Sequence, residues 1–410
     1  MKKGHLSEYF AGVAVKELSQ VEANALRSHQ HEFNASRELI SLLGRCEGMD
    51  KQTLPATFLY LNDDENARIA CEGELTWYDA RAKARIERGV DRTEHRLYFP
   101  SNEVIEKMAA GDLFFLAKRS ETCWLVVIVE RDTSMARQLL WLFGMDDLPR
   151  CSMVVRQSDV MDARTLEYST SFILNQLGIE ITVTDDYLKD MLASFGGRFP
   201  STREFSAFAR SKCRDVCPKS SSADEVLMAW MLQEEQMFLT LEHHILQERI
   251  NQGFSSVEDF IQTSLSAQNR RKSRAGAALE NHIECILNAR QIPHAWGAKT
   301  EGKSKPDFLF PGAKEYHDPT FPATSLHMLG VKSTCKDRWR QVLAEADKID
   351  FKHLLTLEPG ITQDQTDEMR VKKLQLVIPA SLHDSYTHSQ QSWLLTLEEF
   401  LAILSNTFYM

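Results

Sequence analysis

Two stretches constrain this chain most, Lys305–Phe310 and Leu326–Ile349. Asp307 follows Pro306 and opens the apolar run Phe308-Leu309-Phe310, which reads as a strand leaving a proline-marked loop. Leu326–Val331 reads as a second strand, with Lys332 at its end. Beyond it Trp339, Val342, Leu343, Ala346 and Ile349 recur at helical spacing, and Glu345, 345 − 332 = 13 positions after the lysine, falls on the border of that stripe. Two strands and a returning helix therefore bring an acid, a lysine and a second acid to one sheet edge. Hydrolysis of a phosphodiester calls for such a set: carboxylates that hold Mg²⁺, and a cation near the attacking water. Taken singly, Asp307 is a turn cap, Lys332 a solvated strand end and Glu345 half of a surface ion pair. The joint spacing is what points to a nuclease.

The carboxy-terminal part resembles the catalytic domain of the EcoRII-type restriction endonucleases, a branch of the PD-(D/E)XK nucleases. The likeness is carried by Arg198-Phe199-Pro200-Ser201, Gly253–Ile261, Asn269–Gly276 with Leu279-Glu280, Thr300-Glu301-Gly302, Lys305–Pro311, Tyr316-His317-Asp318 and Cys335–Gln341. It implies Asp307 and Glu345 as metal-holding acids, Lys332 as the catalytic lysine and Glu280 as a supporting acid. Glu280 with Glu284 also reads as the wet edge of the amphipathic stripe Leu279, Ile283, Ile286, Leu287. The resemblance further implies that Lys336, Asp337 and Arg338 read adjacent G·C pairs in the major groove, as their chemistry permits: Lys or Arg donates to guanine N7 and O6, and a carboxylate accepts from cytosine N4. Asp337 equally suits a helix amino terminus. A type II enzyme acting on double-stranded DNA at a CCNGG- or CCGG-like site follows from the resemblance. A homodimer follows from one site cutting one strand, and a methyltransferase would share the target.

With 410 residues, two or three domains are expected. A hydrophobic fraction of 43% with 26% charged residues is that of a soluble globular chain. A formal charge of −10 argues against indiscriminate binding of polyanions, so DNA contact requires local basic patches. Arg270, Arg271, Lys272 and Arg274 form one such run, otherwise a solvated face. The first residues lack an apolar export core and Trp124–Val129 is too short to span a bilayer, which leads to an expectation of a cytoplasmic protein with no membrane partner. Eight cysteines without a Cys-x-x-Cys pair read as reduced thiols.

Gly297–Ser304 fits the Walker A pattern letter for letter, which makes a nucleotide-driven switch the alternative reading. A phosphate loop needs a strand before it and a helix after it. Here Pro306 and the Phe308–Phe310 strand follow instead.

In the amino-terminal half, Arg96–Phe99, Leu113–Ala117 and Cys123–Val129 read as strands, with helical stretches at Asn102–Ala109 and Ala136–Phe143. Arg81, Arg85, Arg88 and Arg96 lie among Trp77, Tyr78 and Tyr98, as suits contact with DNA; Glu87, Asp91 and Glu94 beside them suit plain ion pairs. The expected architecture is an α/β domain over 183–410, with a central mixed sheet flanked by helices, joined by a 163–182 linker to a mainly β, barrel-like domain over 1–162 that binds DNA or an effector. A module that senses modified DNA and keeps its nuclease silent is a further alternative.

Overall fold

The computed structural model describes residues 5–409 except 24–30, 47, 65–66, 90, 121, 146–147, 149–151, 158–166, 180, 182–186, 303 and 336–337. The chain forms two compact units, Met1–Gly178 and Ile179–Met410.

The first unit contains strands β1 (Gly12–Glu17), β2 (Glu32–Asn34), β3 (Gln52–Leu61), β4 (Ile69–Asp79), β5 (His95–Tyr98), β6 (Leu113–Ser120), β7 (Cys123–Val129) and β8 (Val154–Gln157). They pair in the order β2-β5-β4-β3-β7-β6-β1-β8. All ladders are antiparallel except β3 with β7. In a flat sheet β2 and β6 would stand about 24 Å apart, five strand spacings. Yet the Phe33 and Phe114 rings meet edge to face at 4.7 Å, so the sheet curls over its own core. Phe33, Phe58, Trp77, Phe99, Phe114 and Trp124 share that core, which is the barrel-like character expected of this half.

Helices α1 (Arg37–Leu43), α2 (Ala82–Arg88), α3 (Ser134–Leu142) and α4 (Tyr168–Gln176) accompany the sheet. The helix expected at Asn102–Ala109 is only a short 3₁₀ turn, Ile105–Lys107. Its cause is local: the Asn102 side-chain oxygen accepts from the amides of Val104 and Ile105 at 3.0 and 2.9 Å, which diverts the backbone before a full helix forms.

In the second unit α5 (Leu188–Phe195), α6 (Thr202–Lys212), α7 (Ala223–Gln252) and α8 (Val257–Ala289) form a helical layer. Met191, Phe205, Met237 and Phe238 are buried within it. A five-stranded sheet follows, made of β9 (Ala295–Trp296), β10 (Phe308–Phe310), β11 (His327–Lys332), β12 (Lys352–Thr356) and β13 (Leu374–Val377), in the order β13-β12-β11-β10-β9. β9 to β11 are antiparallel and β11 to β13 parallel, which makes the expected mixed sheet. Helices α9 (Ala313–His317), α10 (Trp339–Leu343), α11 (Gln363–Val371) and α12 (Leu397–Tyr409) complete the unit. α12 starts with a reciprocal cap: Thr396 Oγ1 accepts from the Glu399 amide at 3.1 Å, and Glu399 accepts from the Thr396 amide at 2.8 Å.

α10 lies close against the sheet because Gly330 has no side chain. A methyl built there would meet the two γ-carbons of Val342 at 2.9 and 3.0 Å. Gly330→Ala should therefore destabilise the protein by about 1–3 kcal/mol, and Val342→Ala in the same chain should recover part of the loss. Denaturant unfolding of the three variants checks this; an unchanged midpoint for Gly330→Ala would contradict the packing.

Candidate active site

The register of β10 on β11 sets Phe308 opposite Leu329 and leaves Asp307 at the sheet's edge, beside the end of β11. There one carboxylate oxygen, Asp307 Oδ2, accepts from the Val331 amide at 2.6 Å and from Lys332 Nζ at 2.8 Å. The lysine and the aspartate are thus locked together across the strands.

Glu345 comes to the same place by a route the periodicity did not show. α10 stops at Leu343, so Glu345 lies on a bend beyond the helix and not within it. The break is at Ala346, fully buried with φ at 52°, a left-handed conformation that costs an L-residue roughly 1–2 kcal/mol. Burial first, and then the charge of Asp307, push the Glu345 carboxyl up to about 7, against the pull of Lys332 and Lys352. Its Oε2 is buried without a hydrogen-bond partner.

Glu280 projects from α8 toward the same charges. Burial and then Asp307 raise its pKa, while the Trp296 indole, donating to Glu280 Oε2 at 3.0 Å, and Lys332 oppose the rise. Trp296 was not singled out as a site residue from the sequence. Its indole meets Glu280 only because β9 pairs with β10, and nothing in the local pattern signals that pairing. Arg203 covers the Trp296 ring at 4.5 Å and pairs with Glu284 at 2.9 Å.

Three carboxylates thus share one ammonium. A cation fits this set: Glu345 offers an orphaned oxygen next to Asp307, and both are hard oxygen donors of the kind Mg²⁺ takes. Among the described residues no three His, Cys, Asp or Glu side chains form a ready metal cage.

Of the three groove-reading residues, Lys336 and Asp337 lie outside the described residues; Arg338 is exposed at the start of α10, its amide donating to Cys335 O at 2.9 Å. The Cys335 amide in turn donates to the buried Glu358 carboxylate at 2.5 Å, which ties this segment to the end of β12. The basic run on α8 divides. Arg270 stacks on Phe199 at 4.1 Å and Lys272 is exposed. Arg271 pairs with Glu242 at 2.5 Å. Arg274 is a correction to the phosphate-contact expectation, because it is 4% exposed and bound to Glu235 and Glu234 on α7. In the first unit Arg81 pairs with Glu94 at 2.6 Å, Arg85 with Asp79, and Arg96 with Glu32 and Glu94 at 2.7 and 2.6 Å. Arg88 is exposed in the last turn of α2.

Gly297–Ser304 connects two antiparallel strands, and the chain runs on into β10 with no helix after the loop. A phosphate loop's strand–loop–helix order is therefore absent. The seven cysteines among the described residues are all free. No helix among those residues is long and apolar enough to cross a membrane.

An acid before one strand, a lysine closing the next and a second acid beyond the following helix thus come to one sheet edge. Residues 238–401 match the family model described as EcoRII C terminal. Over 212 residues the chain is 45% identical to the type II restriction enzyme EcoRII of Escherichia coli, covering 52% of this chain and 52% of that one. The chain spans about half the length of the curated relative it matches. Its carboxy-terminal part is thus similar to the EcoRII C-terminal family. Among solved structures, metal-depleted Ecl18kI in complex with uncleaved, modified DNA is 17% identical with a TM-score of 0.43, covering 55% of this chain and 85% of that one. The restriction endonuclease PspGI in complex with substrate DNA is 14% identical with a TM-score of 0.42, covering 56% and 99%.

The raised Glu345 carboxyl has a thermodynamic consequence. Pushed up to about 7, above the ordinary glutamate range, it holds a proton in the folded protein that the unfolded chain has already lost, so stability falls as pH rises from that range to about 7. Glu345→Gln should raise the unfolding midpoint of the metal-free protein at pH 8 and leave it nearly unchanged at pH 4. Equal effects at both pH values would show that the carboxylate is not held at a cost.

Proposed function

We propose that this chain is a type II restriction endonuclease that hydrolyses phosphodiester bonds of double-stranded DNA with Mg²⁺. The observation that carries this reading is the meeting of Asp307, Lys332 and Glu345 at one sheet edge, in a domain similar to the EcoRII C-terminal family. Mg²⁺ held by Asp307 and Glu345 would supply charge to offset the phosphate and acidify a bound water. Asp307 orients Lys332 through the 2.8 Å contact. That contact uses one of three ammonium donors and leaves two for a phosphate oxygen and the attacking water. Glu345, whose carboxyl burial and then Asp307 push up to about 7, would be held ionised by a cation beside it. Glu280, fixed by Trp296, adds negative charge behind this pair.

One such site cuts one strand, so two copies acting on a symmetric target complete a double-strand cut. The target in this reading contains paired G·C steps, contacted by Lys336, Asp337 and Arg338 from the segment after β11.

Lys332→Ala, Asp307→Ala and Glu345→Ala should each abolish cleavage of plasmid DNA in Mg²⁺. Lys332→Ala should keep nearly full specific binding when Ca²⁺ replaces Mg²⁺. A variant that cuts at a near-normal rate would remove that residue from the chemistry. Arg338→Ala should weaken binding to the preferred sequence by about 1–3 kcal/mol and relax the choice at one G·C pair. Equal weakening on every sequence in a competition assay would make it a phosphate contact.

A further inference from the structure

The Gly297–Ser304 loop, which imitates a phosphate loop in sequence, runs beside the turn that carries Glu345. We propose that Glu301 is a positioning residue for Glu345: together with Tyr316 it ties down the backbone just after that carboxylate, while Ser304 of the same loop ties it just before, and so fixes the direction in which it points. The proposal rests on the nuclease reading above and gives this loop a structural task within it.

The contacts bracket Glu345 closely. Before it, Ser304 Oγ donates to the Ala344 carbonyl at 3.1 Å. After it, the Asp347 amide donates to Glu301 Oε2 at 3.1 Å, and the Lys348 amide donates to the Tyr316 hydroxyl oxygen at 3.2 Å. The Tyr316 hydroxyl closes the clasp by donating to Glu301 Oε1. Tyr316 itself is 1% exposed, and its carbonyl accepts from Lys348 Nζ at 2.7 Å. Between these ties stands Ala346 in its left-handed conformation. A non-glycine residue keeps that conformation only where its surroundings over-determine it.

The two glutamates contrast in their environments. Burial works to raise the Glu301 carboxyl, but the hydrogen bonds from Tyr316 and the Asp347 amide outweigh it and hold it below its usual range. Glu301 is thus a satisfied anion that spends both oxygens on its neighbours. Glu345 keeps an oxygen without a hydrogen-bond partner. Metal-site residues of this second kind depend on an outer ring of hydrogen bonds for their orientation.

The test uses the full chain and four substitutions. Glu301→Ala should weaken Mn²⁺ binding to the protein–DNA complex, read by electron paramagnetic resonance, and raise the Mg²⁺ half-saturation of plasmid cleavage, both by about 10–100-fold. DNA affinity in Ca²⁺ should stay at the wild-type value. Glu301→Gln should retain most of the metal affinity, since its amide oxygen can accept from Asp347 and its amide nitrogen can donate to Tyr316. Tyr316→Phe should fall between the two, and with Glu301→Gln it keeps the test open should Glu301→Ala fail to fold. Wild-type Mn²⁺ affinity and Mg²⁺ half-saturation in folded Glu301→Ala or Tyr316→Phe, alongside an inactive Glu345→Ala, would overturn the clasp alone. A Glu345→Ala protein that cuts normally would instead overturn the nuclease reading beneath it.

Discussion

Excess negative charge at one sheet edge is the constraint around which the carboxy-terminal domain is arranged. Asp307, Glu345 and Glu280 come together beside Lys332, and the direct contact is made by Asp307 alone. Burial makes the imbalance worse, since it penalises each anion that lacks a close counter-charge. A structure selected for stability alone would separate these groups or pair them. Here Trp296, Glu301 and the left-handed Ala346 all act to keep them together. Perturbed acids gathered this way mark a working site more often than a structural one.

How much of this was legible in sequence depended on how far each signal had to reach. The strand after Asp307 and the strand ending at Lys332 read directly, because each is a short apolar run with a clear boundary. Glu345 was placed correctly in space but on the wrong element. The stripe from Trp339 to Ile349 keeps helical spacing, yet Ala346 turns left-handed under contacts from a loop more than 40 residues earlier. No local pattern records such a tie. Trp296 and Tyr316 escaped notice as site residues for the same reason.

In the amino-terminal unit the sheet was under-read. β3 and β4 form its longest hairpin, but Pro55 and the glutamates facing solvent obscure their alternation. Pro55 is tolerated because the ladder to β7 begins only at Ala56, so its missing amide is not needed there. The curl that lets Phe33 reach Phe114 comes from accumulated strand twist and cannot be read from any one strand. The arginines of this unit show how charge counts mislead: Arg81, Arg85 and Arg96 each already hold a carboxylate.

The same internal pairing on α8 bears on how this protein would respond to ionic strength. Arg271 and Arg274 are already paired with Glu242, Glu234 and Glu235 of α7, so they have little charge left with which to replace the cations condensed on a polyelectrolyte. A salt slope reports only the ions exchanged when a complex forms. Reading that slope against the number of basic residues in the Arg270–Arg274 run would overstate the phosphates engaged, because two of those cations were matched when the helices packed.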